Sequence, residues 1–156
     1  MKIKGLFLSI ISLLTFSVHS DVTVYGKLFI TLESQEMSTG TELNIENNDS
    51  RLGIKGNLEL KRDVEVIYQA EYEVDPVDGK ADESNGRSFK QRDTFVGIKG
   101  SLGTLFIGTH DTAFKESQDR IDLFNDLTSD IKNILEGENR LSELVGFTTP
   151  VFGKNY

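Results

Sequence analysis

Asp63-Val64-Glu65-Val66-Ile67-Tyr68-Gln69-Ala70-Glu71-Tyr72-Glu73-Val74 is the stretch on which the fold turns. Its even positions are Val64, Val66, Tyr68, Ala70, Tyr72 and Val74. Its odd positions are Asp63, Glu65, Gln69, Glu71 and Glu73, with Ile67 as the one apolar intruder. Side chains on a strand alternate between two faces, so this segment has one apolar and one charged face. It is longer than the ~5–6 residues usual in soluble sheets and close to the ~9–11 that a tilted strand needs to cross a bilayer.

The same alternation appears on either side. From Val22 to Glu33 the even positions are Val22, Val24, Gly26, Leu28, Ile30 and Leu32, which predicts one strand. Leu52, Ile54, Gly56 and Leu58 oppose Arg51, Gly53, Lys55 and Asn57 in the next. Further strands are expected over Phe89–Lys99, Thr104–Thr109 and Leu141–Thr149, giving six in all. Gly53-Ile54-Lys55-Gly56-Asn57-Leu58 recurs as Gly97-Ile98-Lys99-Gly100-Ser101-Leu102, and each copy is expected to close a strand at a tight hairpin. No helix follows these glycines and no Lys-Ser or Lys-Thr pair completes a phosphate loop. The tight turns alternate with longer connections, Ser34–Asp49, Asp75–Ser88 and His110–Asn139 (16, 14 and 30 residues). Short turns at one end and long loops at the other are the pattern of an all-β, antiparallel transmembrane β-barrel of the bacterial outer membrane, with the short side toward the periplasm.

The N-terminus agrees with export. Lys2 and Lys4 precede an apolar run from Leu6 to Val18, and Val18-His19-Ser20 offers a small-residue cleavage site, so residues 1–20 read as a signal peptide and 21–156 as the barrel domain. The chain holds 17 Lys+Arg and 25 Asp+Glu. Without the two leader lysines the balance is 15 against 25, a formal charge of −10. Nucleic acid is excluded as a partner, because phosphate binding needs a basic face. Cysteine is absent, so an exported chain must close through a sheet's hydrogen bonds instead of disulfides.

No catalytic or metal-binding constellation emerges and no cofactor is implied. His19 leaves with the leader, and His110 stands beside Asp111 without a second ligand nearby. More distinctive are Lys27, Arg51 and Arg92, bases on the polar faces of otherwise neutral or acidic strands. They would line the lumen of a barrel. The longest loop carries Asp111, Glu116, Asp119, Asp122, Asp126 and Asp130, and Ile131, Ile134 and Leu135 fall at helical spacing between Ser129 and Gly137. Folded inward, its carboxylates would face the three bases across an aqueous channel and set up a transverse field.

Several segments, in order, resemble the general (non-specific) porins of Gram-negative bacteria. They are Val22-Thr23-Val24-Tyr25-Gly26-Lys27-Leu28, Ser50-Arg51-Leu52-Gly53-Ile54-Lys55-Gly56, Arg92 with Phe95-Val96-Gly97-Ile98, and Leu102-Gly103-Thr104-Leu105 with Gly108. Leu123-Phe124-Asn125-Asp126, Asp130-Ile131-Lys132-Asn133, Glu138-Asn139-Arg140-Leu141-Ser142 and Phe147-Thr148-Thr149-Pro150 are similar to that family's constriction loop and the strand after it. The resemblance implies a homotrimer of sixteen-stranded barrels in outer-membrane lipid. Each barrel would hold a water-filled pore for passive diffusion of small hydrophilic solutes and ions. Residues 110–139 would form the constriction loop, Lys27, Arg51 and Arg92 the basic side of the pore, and Asp119, Asp122, Asp126 and Asp130 the acidic side. The acidic excess implies a mild preference for cations.

The chain departs from that family in length, stopping at Tyr156, just past the sixth expected strand. Six strands would leave open edges in lipid, where each unpaired backbone group costs several kcal/mol. The expectation is therefore the N-terminal part of a porin barrel. Two alternatives stand beside it. A small complete eight-stranded barrel would need two strands hidden in the 30-residue loop. A secreted or surface β-rich binding or adhesive protein would not need the regular alternation of turn lengths.

Overall fold

The computed structural model describes residues 20–38, 40–82, 84–118, 123, 126–127, 130, 136–137 and 139–150. Among the described residues eight strands and one short helix follow one another as β1 (Ser20–Lys27), β2 (Ile30–Met37), β3 (Gly40–Asn47), β4 (Arg51–Lys61), β5 (Val64–Val74), β6 (Phe89–Gly100), β7 (Gly103–Asp111), α1 (Ala113–Gln118) and β8 (Arg140–Thr148). One antiparallel sheet has the order β1-β4-β5-β6-β7-β8, and β2 pairs with β3. Among the described residues the large sheet is open, with β1 and β8 at its edges. Two-residue turns join β4 to β5 and β6 to β7, and the longer connections lie at the opposite end.

Burial is inverted relative to a water-soluble protein. The row Val22, Gly56, Tyr68, Val96, Ile107 and Val145 runs across all six strands on one face. Leu58, Val66, Ile98, Leu105 and Phe147 form the next row of the same face. Val22, Val96, Ile107 and Val145 are all about half exposed or more, whereas among the described residues the buried polar and charged ones are Asn48, Ser50, Glu71, Glu73, Arg92 and Asp130. Ala81 is the one buried apolar residue among those described. A continuous apolar face this wide is stable only against an apolar surrounding.

Three expectations change in the structure. The strand expected over Val22–Glu33 is two segments, β1 and β2, separated at Leu28 and Phe29, and Ser34–Asp49 is no loop, because Gly40–Asn47 is strand β3. Lys27 pairs with Arg51 and Ile30 with Asn47, so β3–β4 carries one residue more than β1–β2. The surplus is a bulge in which Asp49 takes a positive φ of 53°. Ser50 bridges the gap: its hydroxyl accepts from the Phe29 amide (2.9 Å) and donates to the Phe29 carbonyl (3.3 Å). The β2–β3 ribbon therefore continues the β1–β4 pair beyond a bend.

The second change concerns the glycine echo. Gly97–Leu102 does run into a turn, at Ser101-Leu102, but Gly53–Leu58 lies within β4 and the hairpin forms at Arg62-Asp63, where Asp63 has φ 63°. The third concerns the long loop. Its described helix is α1, capped by Thr112, whose hydroxyl accepts from the Lys115 amide at 3.3 Å. The helical spacing noted at residues 131–135 lies outside the described residues, as does the leader up to His19.

The two faces make opposite demands on a new charge. Ile107→Lys, on the apolar face, is expected to lower the unfolding free energy in lipid vesicles by about 2–4 kcal/mol, against less than about 1 kcal/mol for Thr104→Lys on the polar face. Equal costs from denaturant titration would contradict the assignment of faces.

Candidate functional site

The polar face is organised by bulges. Ala70 pairs with Thr94 and Tyr72 with Gln91, so Glu71 alone opposes both Arg92 and Asp93. This classic two-against-one arrangement turns both β6 side chains to the polar side. Arg92 Nε donates to Glu71 Oε1 at 2.7 Å, and Arg92 NH1 donates to Asp49 Oδ2 at 2.8 Å and lies 3.6 Å from Glu73 Oε2. Glu73 also pairs with Lys90 at 3.2 Å. Glu71 accepts from the Tyr25 hydroxyl at 2.8 Å and sits 4.0 Å from Arg51. Tyr25 reaches it by lying flat over Gly53, where an added Cβ would come within 2.6 Å of the ring. Glycine is required there by this close approach.

Lys27 and Arg51 face a different partner. Both bond to Asp126, Lys27 to Oδ2 and Arg51 to Oδ1 at 3.2 Å. Asp126 belongs to the connection that leaves β7, yet its partners lie on β1 and β4. The strand order puts three to four strand spacings, about 14–19 Å, between them. The loop is thus folded across the polar face. Its base is pinned where Thr112 donates through its amide to the Asn139 carbonyl (2.9 Å) and through its hydroxyl to the Gly137 carbonyl (3.1 Å). On the far side of Arg92, Arg140 joins Asp93 (2.7 Å) to Asp111 (3.0 Å).

The structure therefore gathers Lys27, Arg51 and Arg92 into one network and adds Asp126 of the four loop acids. Asp130 is buried, and its amide donates to the Leu127 carbonyl at 3.0 Å. Asp119 and Asp122 lie outside the described residues. The expected separation of bases and acids by a water gap does not hold for Asp126, which touches the bases directly. The wall also supplies its own acids, Glu71, Glu73 and Asp49. Sequence alternation marked the two glutamates as polar-face residues of β5 but gave no sign that they would be buried against arginine. Asp49 falls in a segment that the alternation reads as a loop, because a bulge has no periodic signature.

Burial pushes the Asp126 carboxyl up, but the hydrogen bond from Lys27 and the field of Arg51 outweigh it and hold it below the usual carboxylate range. With the folded value depressed, the tie contributes stability above the ordinary carboxylate pKa, ~3.9, and loses it as pH falls through the folded value. A ¹³C carboxyl titration is expected to place the Asp126 midpoint below ~3.9, and Lys27→Met with Arg51→Gln should raise it past that value because burial then acts unopposed. A midpoint unmoved by the double substitution would contradict the pairing.

Comparison with known proteins decides the family. The family model described as Gram-negative porin matches residues 8–153. The chain belongs to the Gram-negative porins. The major outer membrane protein P.IB of Neisseria sicca is 26% identical over 130 residues, covering 76% of this chain and 34% of that protein. Its counterpart from Neisseria meningitidis serogroup A is 27% identical over 125 residues, covering 74% and 36%. This porin chain spans about a third of the length of these curated relatives. Among solved structures, the anion-selective porin from Comamonas acidovorans superposes with a TM-score of 0.64 at 20% identity, covering 86% of this chain and 44% of that one. A loop-L8 deletion mutant of OmpT, an outer membrane protein of Vibrio cholerae, gives 0.58 at 18% identity, with 82% and 38% covered. The fold is that of a porin β-barrel, and the setting of the porin is the bacterial outer membrane.

Proposed function

We propose that this porin chain forms the N-terminal part of a channel for passive diffusion of small hydrophilic solutes and ions, with the loop after β7 as its constriction. One observation carries the reading. The loop crosses the polar face and anchors on Lys27 and Arg51 through Asp126, so a solute moving along that face must pass between the loop and a charged wall. Lys27, Arg51 and Arg92 form its basic part. Asp126 is the loop acid in contact with them, and Asp119, Asp122 and Asp130 remain proposed members of the acidic side. The role is that of a conduit rather than an enzyme, since the wall's charged groups are spent on one another.

Charge around the constriction is nearly balanced. Lys27, Arg51, Lys90, Arg92 and Arg140 stand against Asp49, Glu71, Glu73, Asp93, Asp111 and Asp126. The channel therefore discriminates weakly by sign, leaning toward cations through its one surplus acid and the acidic chain as a whole. We further propose that residues 1–20 are an export signal, that 21–156 begin the barrel domain, and that the working assembly is a homotrimer in outer-membrane lipid, as the family resemblance implies.

Two measurements test this reading. The protein purified from outer membranes in its native reading frame is expected to give stepwise, ohmic conductance in planar bilayers, with a small reversal potential of cation-selective sign in a salt gradient. Folded, membrane-extracted protein that never conducts would contradict the channel, and an anion-selective sign would contradict the charge argument. Intact-mass analysis of the same material is expected to show an N-terminus at Asp21. A retained leader would overturn the proposed boundary.

A further inference from the structure

The polar face carries an apolar patch that neither the charge network nor the strand alternation requires. Phe95 and Phe106 both lie on this face, with ring centroids 5.7 Å apart, and His110 packs against them in tilted contacts at 4.8 and 4.5 Å. The rings lie low on the wall. An added Cβ on Gly146 would come within 2.2 Å of the Phe106 ring, and one on Gly108 within 3.0 Å of the Phe95 Cβ. Along the row Ile67, Gly97, Phe106 and Gly146, large and minimal residues alternate across four strands. The result is a cluster of mutually tilted, partly buried rings on a wall that is otherwise charged.

Beside this surface opens a cleft lined by Gln69, Asp93, Phe95, His110, Asp111, Lys115 and Glu116. Three carboxylates and one ammonium border it. Arg140 already engages Asp93 and Asp111. Glu116 differs: its side chain is 54% exposed and stands 3.9 Å from His110 Nε2. A ring surface and an outward-facing carboxylate thus meet at one point on the wall, next to the base of the constriction loop.

We propose that this cleft is a solute-binding subsite for small organic cations bearing a planar ring, with the ring on Phe95 and His110 and the ammonium toward Glu116. Aromatic stacking and the acidic border act on opposite ends of such a solute, so neither a plain amine nor a ringed acid satisfies both. The inference rests on the channel reading, and it makes the porin more than a size filter. A ringed cation pauses at the wall, whereas an aliphatic one passes.

Tyramine is the probe, applied to the full-length channel in planar bilayers, with propylamine and 4-hydroxyphenylacetate as controls lacking the ring and the positive charge. Tyramine is expected to produce transient current blocks at concentrations where the two controls produce at least tenfold fewer. Phe95→Leu, which keeps an apolar side chain of similar bulk, should weaken the tyramine block roughly fivefold. Glu116→Gln should weaken it about threefold. Equal block by propylamine, or a tyramine block insensitive to Phe95→Leu, would overturn the subsite. A protein that does not conduct at all would instead overturn the channel reading on which it rests.

Discussion

Arg92 is the group around which the inner face is built. Its guanidinium is 2.7 Å from Glu71, 2.8 Å from Asp49 and 3.6 Å from Glu73, and its side chain and those of both glutamates are nearly inaccessible. Taking such charges out of water costs several kcal/mol each unless they are paired with good geometry. The pairing needs two bulges, one that swings Asp49 inward and one that sets Arg92 and Asp93 together opposite Glu71. Once these charges occupy one face, most of the strands' apolar residues are left the other, with Ile67, Phe95 and Phe106 remaining on the polar side. The lipid-facing rows of Val, Ile, Leu and Phe are the necessary counterpart of the buried network.

The same electrostatics draws the loop inward. Lys27 and Arg51 lie at the far side of the sheet from β7, and Asp126 supplies the carboxylate that compensates them there. A loop that merely hung over the sheet would leave those bases to water. Beyond this anchor, charged pairs run on across β6, β7 and β8, and there the aromatic cluster of Phe95, Phe106 and His110 lies among them. The two regions have different chemistry within a few strand widths.

Much of the fold was legible where a strand is both long and undistorted. The faces of Val64–Val74 are legible in its sequence, since Glu71 and Glu73 on one side and Tyr68 and Tyr72 on the other leave little choice. Strand β3 is not legible in the sequence, because Gly40-Thr41-Glu42-Leu43-Asn44-Ile45-Glu46-Asn47 is rich in polar residues that favour turns, and its alternation is visible only once it is set against β2. The split of the first strand at Leu28-Phe29 leaves no mark in the periodicity, because the extra residue sits on the partner. Gly56 was expected at a hairpin, yet it is a mid-strand position covered by Tyr68, a contact that depends on strand register. Of the site, the basic residues stood out by sign alone. Their partners did not, because bulges and a loop crossing place them together across separations of up to 99 residues.

The claim on which everything else rests is that the odd positions of β5 face water and the even ones face lipid. The chain contains no cysteine, so single cysteines at Val66, Ile67, Tyr68, Gln69 and Ala70 can report each position without background. In native outer membranes, a water-soluble thiol reagent should label positions 67 and 69, while brominated lipid should quench a fluorophore attached at 66, 68 and 70. Labelling and quenching that do not alternate, or that alternate in the opposite phase, would contradict the account.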